Sequence, residues 1–161
     1  MKILVFSDSH GVIKNMTEAI DAHYPNIDLI IHLGDGAKEF DRLSEKYREV
    51  RFFGVRGNCD LFNEAGLMTT NLLELDGYRI LCTHGHEYKV KYTLDNLHYA
   101  ALEKKCNIAL FGHTHSAYKR YDSENEIYLF NPGSISRGAP RASYGLIELT
   151  DKGILLSHAY I

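Results

Sequence analysis

Short apolar runs alternate with amphipathic stretches through the first third of the chain, and polar residues gather where the apolar runs stop. Lys2 to Phe6 is a continuous aliphatic and aromatic run, as in a strand buried on both faces, and it ends at Ser7-Asp8-Ser9-His10-Gly11. Ile13, Met16 and Ile20, with Tyr24 beyond, recur at helical spacing until Pro25-Asn26 closes the helix. A second apolar run, Asp28 to Leu33, is interrupted by His32 and ends at Gly34-Asp35-Gly36. Ala37, Phe40, Leu43 and Tyr47 predict another amphipathic helix. Val50 to Val55 predicts a third strand, leading into Arg56-Gly57-Asn58-Cys59-Asp60. Strands alternating with helices over this span predict a parallel sheet with right-handed crossovers. Such sheets bind ligands beyond the carboxyl ends of their strands, where Asp8, Asp35 and Asn58 all fall.

The second half reads differently. Asn71 to Leu75 and Tyr78 to Thr83 flank Asp76-Gly77, a dipeptide suited to a tight hairpin turn, and the second strand ends at His84-Gly85-His86. Leu94, Leu97 and Ala101 predict a third helix, with Lys104 and Lys105 near its C-terminus where positive charge is favourable. Asn107 to Phe111 then runs into Gly112-His113-Thr114-His115; on a strand, residues two apart point the same way. Glu126 to Phe130, Tyr144 to Leu149 and Ile154 to Tyr160 predict three more strands, with Asp151-Lys152-Gly153 turning the last pair. No repeat, low-complexity tract or linker interrupts the chain, so the expectation is one domain over residues 1–161.

Composition narrows the functional classes. Hydrophobic residues make up 45% and charged residues 24% of the 161, ordinary for a globular protein able to bury a core without disulfides. The formal charge is -3, and no stretch is basic enough for a dedicated nucleic-acid surface. Cys59, Cys82 and Cys106 have no paired spacing, as expected of free thiols in a reducing compartment. The opening apolar run is too short for a signal-peptide core or a membrane span, so the expected location is cytoplasmic.

Five predicted strand ends present Asp8 with His10, Asp35, Asn58, His84, and His113 with His115. Each piece alone has an ordinary explanation: Ser7 and Asp8 as helix caps, Gly34-Asp35-Gly36 as a turn, Gly57-Asn58 as a loop. Together they make two carboxylates, one amide oxygen and four imidazoles, more donors than one tetrahedral ion uses. Shared between two ions with one carboxylate bridging, they form a dinuclear centre able to generate hydroxide and clamp an in-line phosphoryl displacement. Oxygen and imidazole donors suit manganese, iron, nickel or zinc without choosing among them.

Asp8-x-His10, Gly34-Asp35, Gly57-Asn58-x-Asp60, His84-Gly85 and Gly112-His113-x-His115 resemble the motif series of the calcineurin-like metallophosphoesterases, over nearly the whole chain. The chain is most similar to the small single-domain phosphodiesterase branch of that superfamily. The resemblance implies an α/β fold, a four-layer sandwich of two mixed sheets with flanking helices. It also implies one metal on Asp8, His10, Asp35 and His115, and another on Asp35, Asn58, His84 and His113. Asn58 and His84 would also position the phosphate. One departure stands out. Many relatives carry a histidine, proposed to protonate the leaving group, where this chain has Cys59. A thiol of ordinary pKa near 8.5 could in principle donate that proton, but a small buried filler is the expected role of Cys59. The general acid is therefore open, with Asp60 and His86 as weak candidates. Asp60 is expected to orient a metal-bound histidine by accepting its other N–H, and His86 to contact substrate.

The expected activity is hydrolysis of a small phosphodiester by attack of a metal-bridging hydroxide. Three alternatives stand beside it: a protein-binding scaffold, such as the trafficking-complex subunit that shares this fold, a monoester phosphatase, and a nuclease. Asn131-Pro132-Gly133-Ser134-Ile135-Ser136-Arg137-Gly138 is read as a turn rather than a phosphate cradle. His23, His32, His98 and His158 are read as structural or surface histidines. Tyr88, Tyr92 and Tyr99 serve core packing or a surface where copies of the chain associate, which leaves the oligomeric state open.

Overall fold

A computed structural model describes residues 1–61, 66–136 and 141–161. The leading run forms strand β1 (Lys2–Phe6), followed by helix α1 (Ile13–His23), β2 (Leu29–His32), α2 (Ala37–Lys46) and β3 (Arg51–Gly54). The three strands pair in parallel, as the alternation predicts, with Phe6 opposite His32 and His32 opposite Gly54. Next come β4 (Thr70–Leu75), β5 (Tyr78–Thr83), α3 (Asp95–Glu103) and β6 (Ile108–Leu110). The chain closes with β7 (Ala117–Asp122), β8 (Ile127–Pro132), β9 (Ser143–Thr150) and β10 (Gly153–Tyr160). One sheet has the order β10-β9-β1-β2-β3, the other β4-β5-β6-β8-β7, and both mix parallel with antiparallel neighbours.

Period-two alternation explains how the layers stack. Ile3 and Val5 on β1 point between the sheets, into one core with Ile31, Ile80, Cys82, Ile108, Leu110 and Phe130. Leu4 and Phe6 point the other way, against Met16 and Ile20 of α1 and Leu43 of α2. On the second sheet, Leu81, Ala109 and Leu129 face Leu97 and Ala101 of α3. The result is helix, sheet, sheet, helix, the four-layer sandwich that the resemblance implies. At Asp76-Gly77 both φ angles are positive, 48° and 83°, the conformation a two-residue hairpin requires.

Strand β7 is the element that pattern reading misses. Its sequence, AYKRYD, is mostly exposed, and it lies at the sheet edge paired only with β8. An edge strand carrying Lys119, Arg120 and Asp122 blunts unwanted pairing, and for that reason shows little apolar signal. Of the three tyrosines, Tyr88 packs against the core under α3, whereas Tyr92 and Tyr99 are exposed. His23, His32, His98 and His158 are satisfied by Tyr144, Ser9, Asp122 and the carbonyl of Asn131, in keeping with structural roles.

Candidate metal centre

All five strand ends converge on one site at the rim between the sheets. The loops after β1, β2 and β3 bring Asp8 with His10, Asp35 and Asn58 from one sheet; those after β5 and β6 bring His84 and His113 with His115 from the other. Backbone hydrogen bonds clasp the first two loops, with Asp8 N donating to Gly34 O and His10 N to Asp35 O, each at 3.0 Å. The sheets are joined by His113 N donating to Asp8 Oδ2 at 3.0 Å, while Gly112 N donating to His84 O ties together the β5 and β6 loops of the second sheet. Ser7 and Asp8 cap no helix, since α1 begins only at Ile13.

The backbone at this rim is unusual. Asp8, His10, Asp35, His113 and His115 all adopt positive φ, between 43° and 66°. For residues with a Cβ this left-handed conformation costs about 1–2 kcal/mol each, although Asp and His tolerate it better than most. Strain of this kind gathers where side chains must be aimed and the surrounding fold enforces it. Gly34 has φ +97°, and a Cβ there would lie 2.5 Å from the backbone nitrogen of Gly57, so the β2 and β3 loops touch through glycine.

The donor atoms face one another with too few protons between them. Asp8 is fully buried; its Oδ2 accepts from Ser7 Oγ at 2.6 Å, but its Oδ1 has no hydrogen-bond partner. Around Oδ1 stand the Nε2 atoms of His115 at 3.1 Å and of His10 and His84 at 3.9 Å, none oriented to donate to it. Nitrogen meets nitrogen at His10–His115 (3.3 Å) and at His84–His113 (3.1 Å). The Nδ1 of His84 donates to Leu33 O at 2.8 Å, which aims Nε2 inward at the other donors. Orphaned buried oxygens are rare, and a cation is the partner that such a mixed oxygen and imidazole set fits.

Among the described residues, three groups of donors lie within 4.8 Å of one another: Asp8, His10 and His115; Asp35, His84 and His113; and His10, Asp35 and Cys59. Asp35 belongs to two of them, and its Oδ2 is 3.4 Å from His84 Nε2 and 4.0 Å from His10 Nε2. A carboxylate in that position can be shared between two cations. Burial opposes ionisation of Asp35, but His84 and the N–H of Cys59 outweigh it and hold the carboxyl well below its usual range. Asp8 is likewise held low against burial, by His115 and His84. Burial pushes His113 down to about 4, leaving it neutral and ready to ligate.

Several expectations need correcting. Cys59 is not a buried filler but exposed; its thiol accepts from Asn58 Nδ2 at 3.4 Å, and burial of the sulfur together with Asp35 pushes its pKa up to about 11. Asp60 accepts no imidazole N–H. Its Oδ2 takes the backbone N–H groups of Asp35 and Gly57, both at 2.8 Å, and its Oδ1 those of Gly36 (2.9 Å) and Ala37 (3.0 Å). It therefore caps α2 from another loop and ties the Asp35 and Asn58 loops together. The segment starting at Asn131 is more than a turn: Asn131 Nδ2 donates to Gly112 O at 2.9 Å, and Ser134 Oγ to Asp8 O at 2.9 Å. Arg137 and Gly138 lie outside the described residues. His86 stands beside the donors, its ring 5.5 Å from that of His84, and its Nδ1 is buried without a partner. A shallow groove of about 320 Å³ opens from His10 and Asp35 past Lys38, Cys59 and Leu61. A larger apolar cavity of about 470 Å³, lined by Lys2, Ile27, Leu146 and Leu156, contains none of the donors.

Known proteins are similar to this chain in sequence and in fold. Residues 1–152 match the model of the calcineurin-like phosphoesterase superfamily domain. The probable metallophosphoesterase YsnB of Bacillus subtilis is 36% identical over 152 residues, covering 92% of this chain and 85% of its own. Phosphodiesterase YfcE of Escherichia coli is 28% identical over 172 residues, with 92% and 88% covered. A crystal structure from Streptococcus pneumoniae, described as a predicted phosphoesterase, superposes with a TM-score of 0.82 at 29% identity, over 99% of this chain and 88% of that one. Vps29 of Entamoeba histolytica complexed with zinc has the same fold, with a TM-score of 0.76 at 21% identity and 99% of each chain covered. The match spans every loop that contributes a donor, and on that evidence the chain belongs to the calcineurin-like phosphoesterase superfamily.

Proposed function

We propose that the chain is one domain acting as a metal-dependent phosphodiesterase on small phosphodiesters. The observation that carries this reading is the orphaned Asp8 Oδ1, ringed by imidazole nitrogens, with Asp35 standing between two donor groups. Asp8, His10, Asp35 and His115 would hold one divalent ion, and Asp35, Asn58, His84 and His113 the other, with manganese, nickel, iron or zinc all compatible. When bound, the two ions supply Lewis acidity to the phosphoryl oxygens and ionise a water at neutral pH. Asn58 and His84 position the phosphate. His86 contacts the ester arm on its side of the rim, and the groove past Lys38 and Leu61 accepts the other.

The preference for diesters has two supports. A relative along 92% of the chain is named a phosphodiesterase. In addition, the position that would hold a proton-donating histidine has Cys59, whose thiol at about 11 is a poorly matched acid near pH 7. A diester has a single negative charge, which the two ions neutralise without an arginine clamp. The three cysteines are free, in keeping with a reducing cytoplasm, and among the described residues no helix is long and apolar enough to cross a membrane.

The test is to strip the protein with chelator, then assay bis-p-nitrophenyl phosphate against p-nitrophenyl phosphate while adding back manganese, nickel, zinc or magnesium. Diester turnover should return with metal and vanish in Asp35→Asn and His84→Ala. Faster monoester turnover would make the protein a phosphatase. No turnover with any ion by a folded protein would leave the binding-scaffold reading.

A further inference from the structure

Beneath the metal donors lies a buried polar array that the proposed chemistry does not use. Ser9, between Asp8 and His10, is fully buried, and its hydroxyl touches two side chains: His32 Nε2 at 3.2 Å and Glu39 Oε2 at 3.1 Å. The other nitrogen of His32, Nδ1, accepts the backbone N–H of Gly34 at 3.1 Å. That bond fixes the tautomer, and with it every direction in the chain. Gly34 N–H donates to His32 Nδ1, His32 Nε2–H donates to Ser9 Oγ, and the Ser9 hydroxyl donates to the Glu39 carboxylate.

Three consecutive hydrogen bonds thus join the β2 loop, strand β2, the β1 loop and the first turn of α2. The array is also packed tight. A Cβ on Gly36 would collide with Ser9 Oγ and come within 2.7 Å of the His32 ring, so the turn after Asp35 is seated on it. Asp8, His10 and Asp35, the residues whose positive φ must be enforced from outside, lie on the two loops that the array connects.

We propose that Ser9, His32 and Glu39 are positioning residues that set the distance between the Asp8–His10 loop and Asp35, and so the affinity with which the centre holds its ions. The inference rests on the metal-centre reading above. Residues behind ligands act in this way generally, and their loss typically weakens metal binding about 10–100-fold. Ser9 itself cannot attack a substrate, because its hydroxyl is buried and donates to a carboxylate rather than to a base.

Calorimetric titration of the metal-free protein with manganese tests the inference, with thermal unfolding recorded on the same samples. Ser9→Ala and Glu39→Ala should each weaken manganese binding about tenfold or more. Glu39→Gln, whose amide oxygen still accepts from Ser9, should recover most of the loss. Glu39 is only partly buried, so Glu39→Ala keeps the test alive should Ser9→Ala not fold. Two alanine variants that bind manganese as the unaltered protein does, whatever their melting temperatures, would reduce the array to ordinary packing and overturn the inference. If the unaltered protein itself bound no manganese, the metal-centre reading would fall first and the inference with it.

Discussion

At the scale of single residues, two side chains near the centre have roles that substitution can separate. Cys59 stands where the family resemblance implies a histidine, and its thiol is too weak an acid to assist a poor leaving group at neutral pH. Cys59→His should therefore accelerate esters of aliphatic alcohols by roughly 10²-fold, with little change for p-nitrophenyl esters, whose leaving group needs no proton. The slope of log kcat against leaving-group pKa checks this, and it should flatten in the variant. His32 makes a prediction about stability. Burial pushes its pKa down to about 4 against the opposing pull of Asp60, Asp8 and Glu39, so the ring is neutral in the folded protein. An unfolded histidine titrates near 6.5, so between pH 6.5 and about 4 the unfolded chain binds the extra proton. This contribution is complete above pH 6.5 and is lost as pH falls, amounting to about 2 kcal/mol by pH 5. Urea unfolding of the metal-free protein at pH 7.5 and pH 5 should show that loss, and His32→Gln should remove this part of the difference.

At the scale of elements, Asp60 illustrates what the sequence hides. Its four hydrogen-bond partners among the described residues are all backbone N–H groups, drawn from the β2 loop, the start of α2 and the β3 loop. Asp60→Ala should cost about 3 kcal/mol, since several donors lose a charged acceptor at once. Asp60→Asn should recover little of this, because one of its two groups becomes an NH₂ facing donors. Denaturant midpoints of the three proteins measure the effect. The apolar runs and helical spacings made twelve of the thirteen elements among the described residues legible, because each buries at least one face. β7 escaped because an edge strand rich in charge buries too little. The six clustered carboxylates and imidazoles, Asp8, His10, Asp35, His84, His113 and His115, were legible for a different reason: aspartate and histidine just after a buried strand have few ordinary uses when the pattern recurs at one strand end after another. Their supports were not. Apart from the Asp60–Gly57 bond, Asp60, Ser134 and Ser9 tie the site together through partners 23 to 126 residues away, and sequence spacing holds no trace of such distances.

At the scale of the whole molecule, the centre lies between two sheets, one built from the two ends of the chain and the other from its middle. Asp8, His10, Asp35 and Asn58 come from one sheet, and His84, His113 and His115 from the other. Ions held by donors of both sheets should therefore act as ties across the inter-sheet core formed by Val5, Ile31, Leu110 and Phe130. The unfolded chain scatters these donors over more than a hundred residues and offers nothing comparable. Folding free energy should then rise with metal by linkage, in proportion to the logarithm of free metal once the sites are saturated. One ion bound only by the folded protein gives about 1.4 kcal/mol for each tenfold rise in free metal; two ions give about 2.7 kcal/mol. Chemical unfolding across a buffered manganese series reads that slope directly, with no substrate and no assumption about activity. The larger slope is the expected result. His84→Ala leaves the donors Asp8, His10 and His115 in place, and it should halve the slope rather than abolish it. A slope near 1.4 kcal/mol in the unaltered protein would mean that a single ion bridges the sheets, and Asp35 would then be a terminal ligand rather than a shared one.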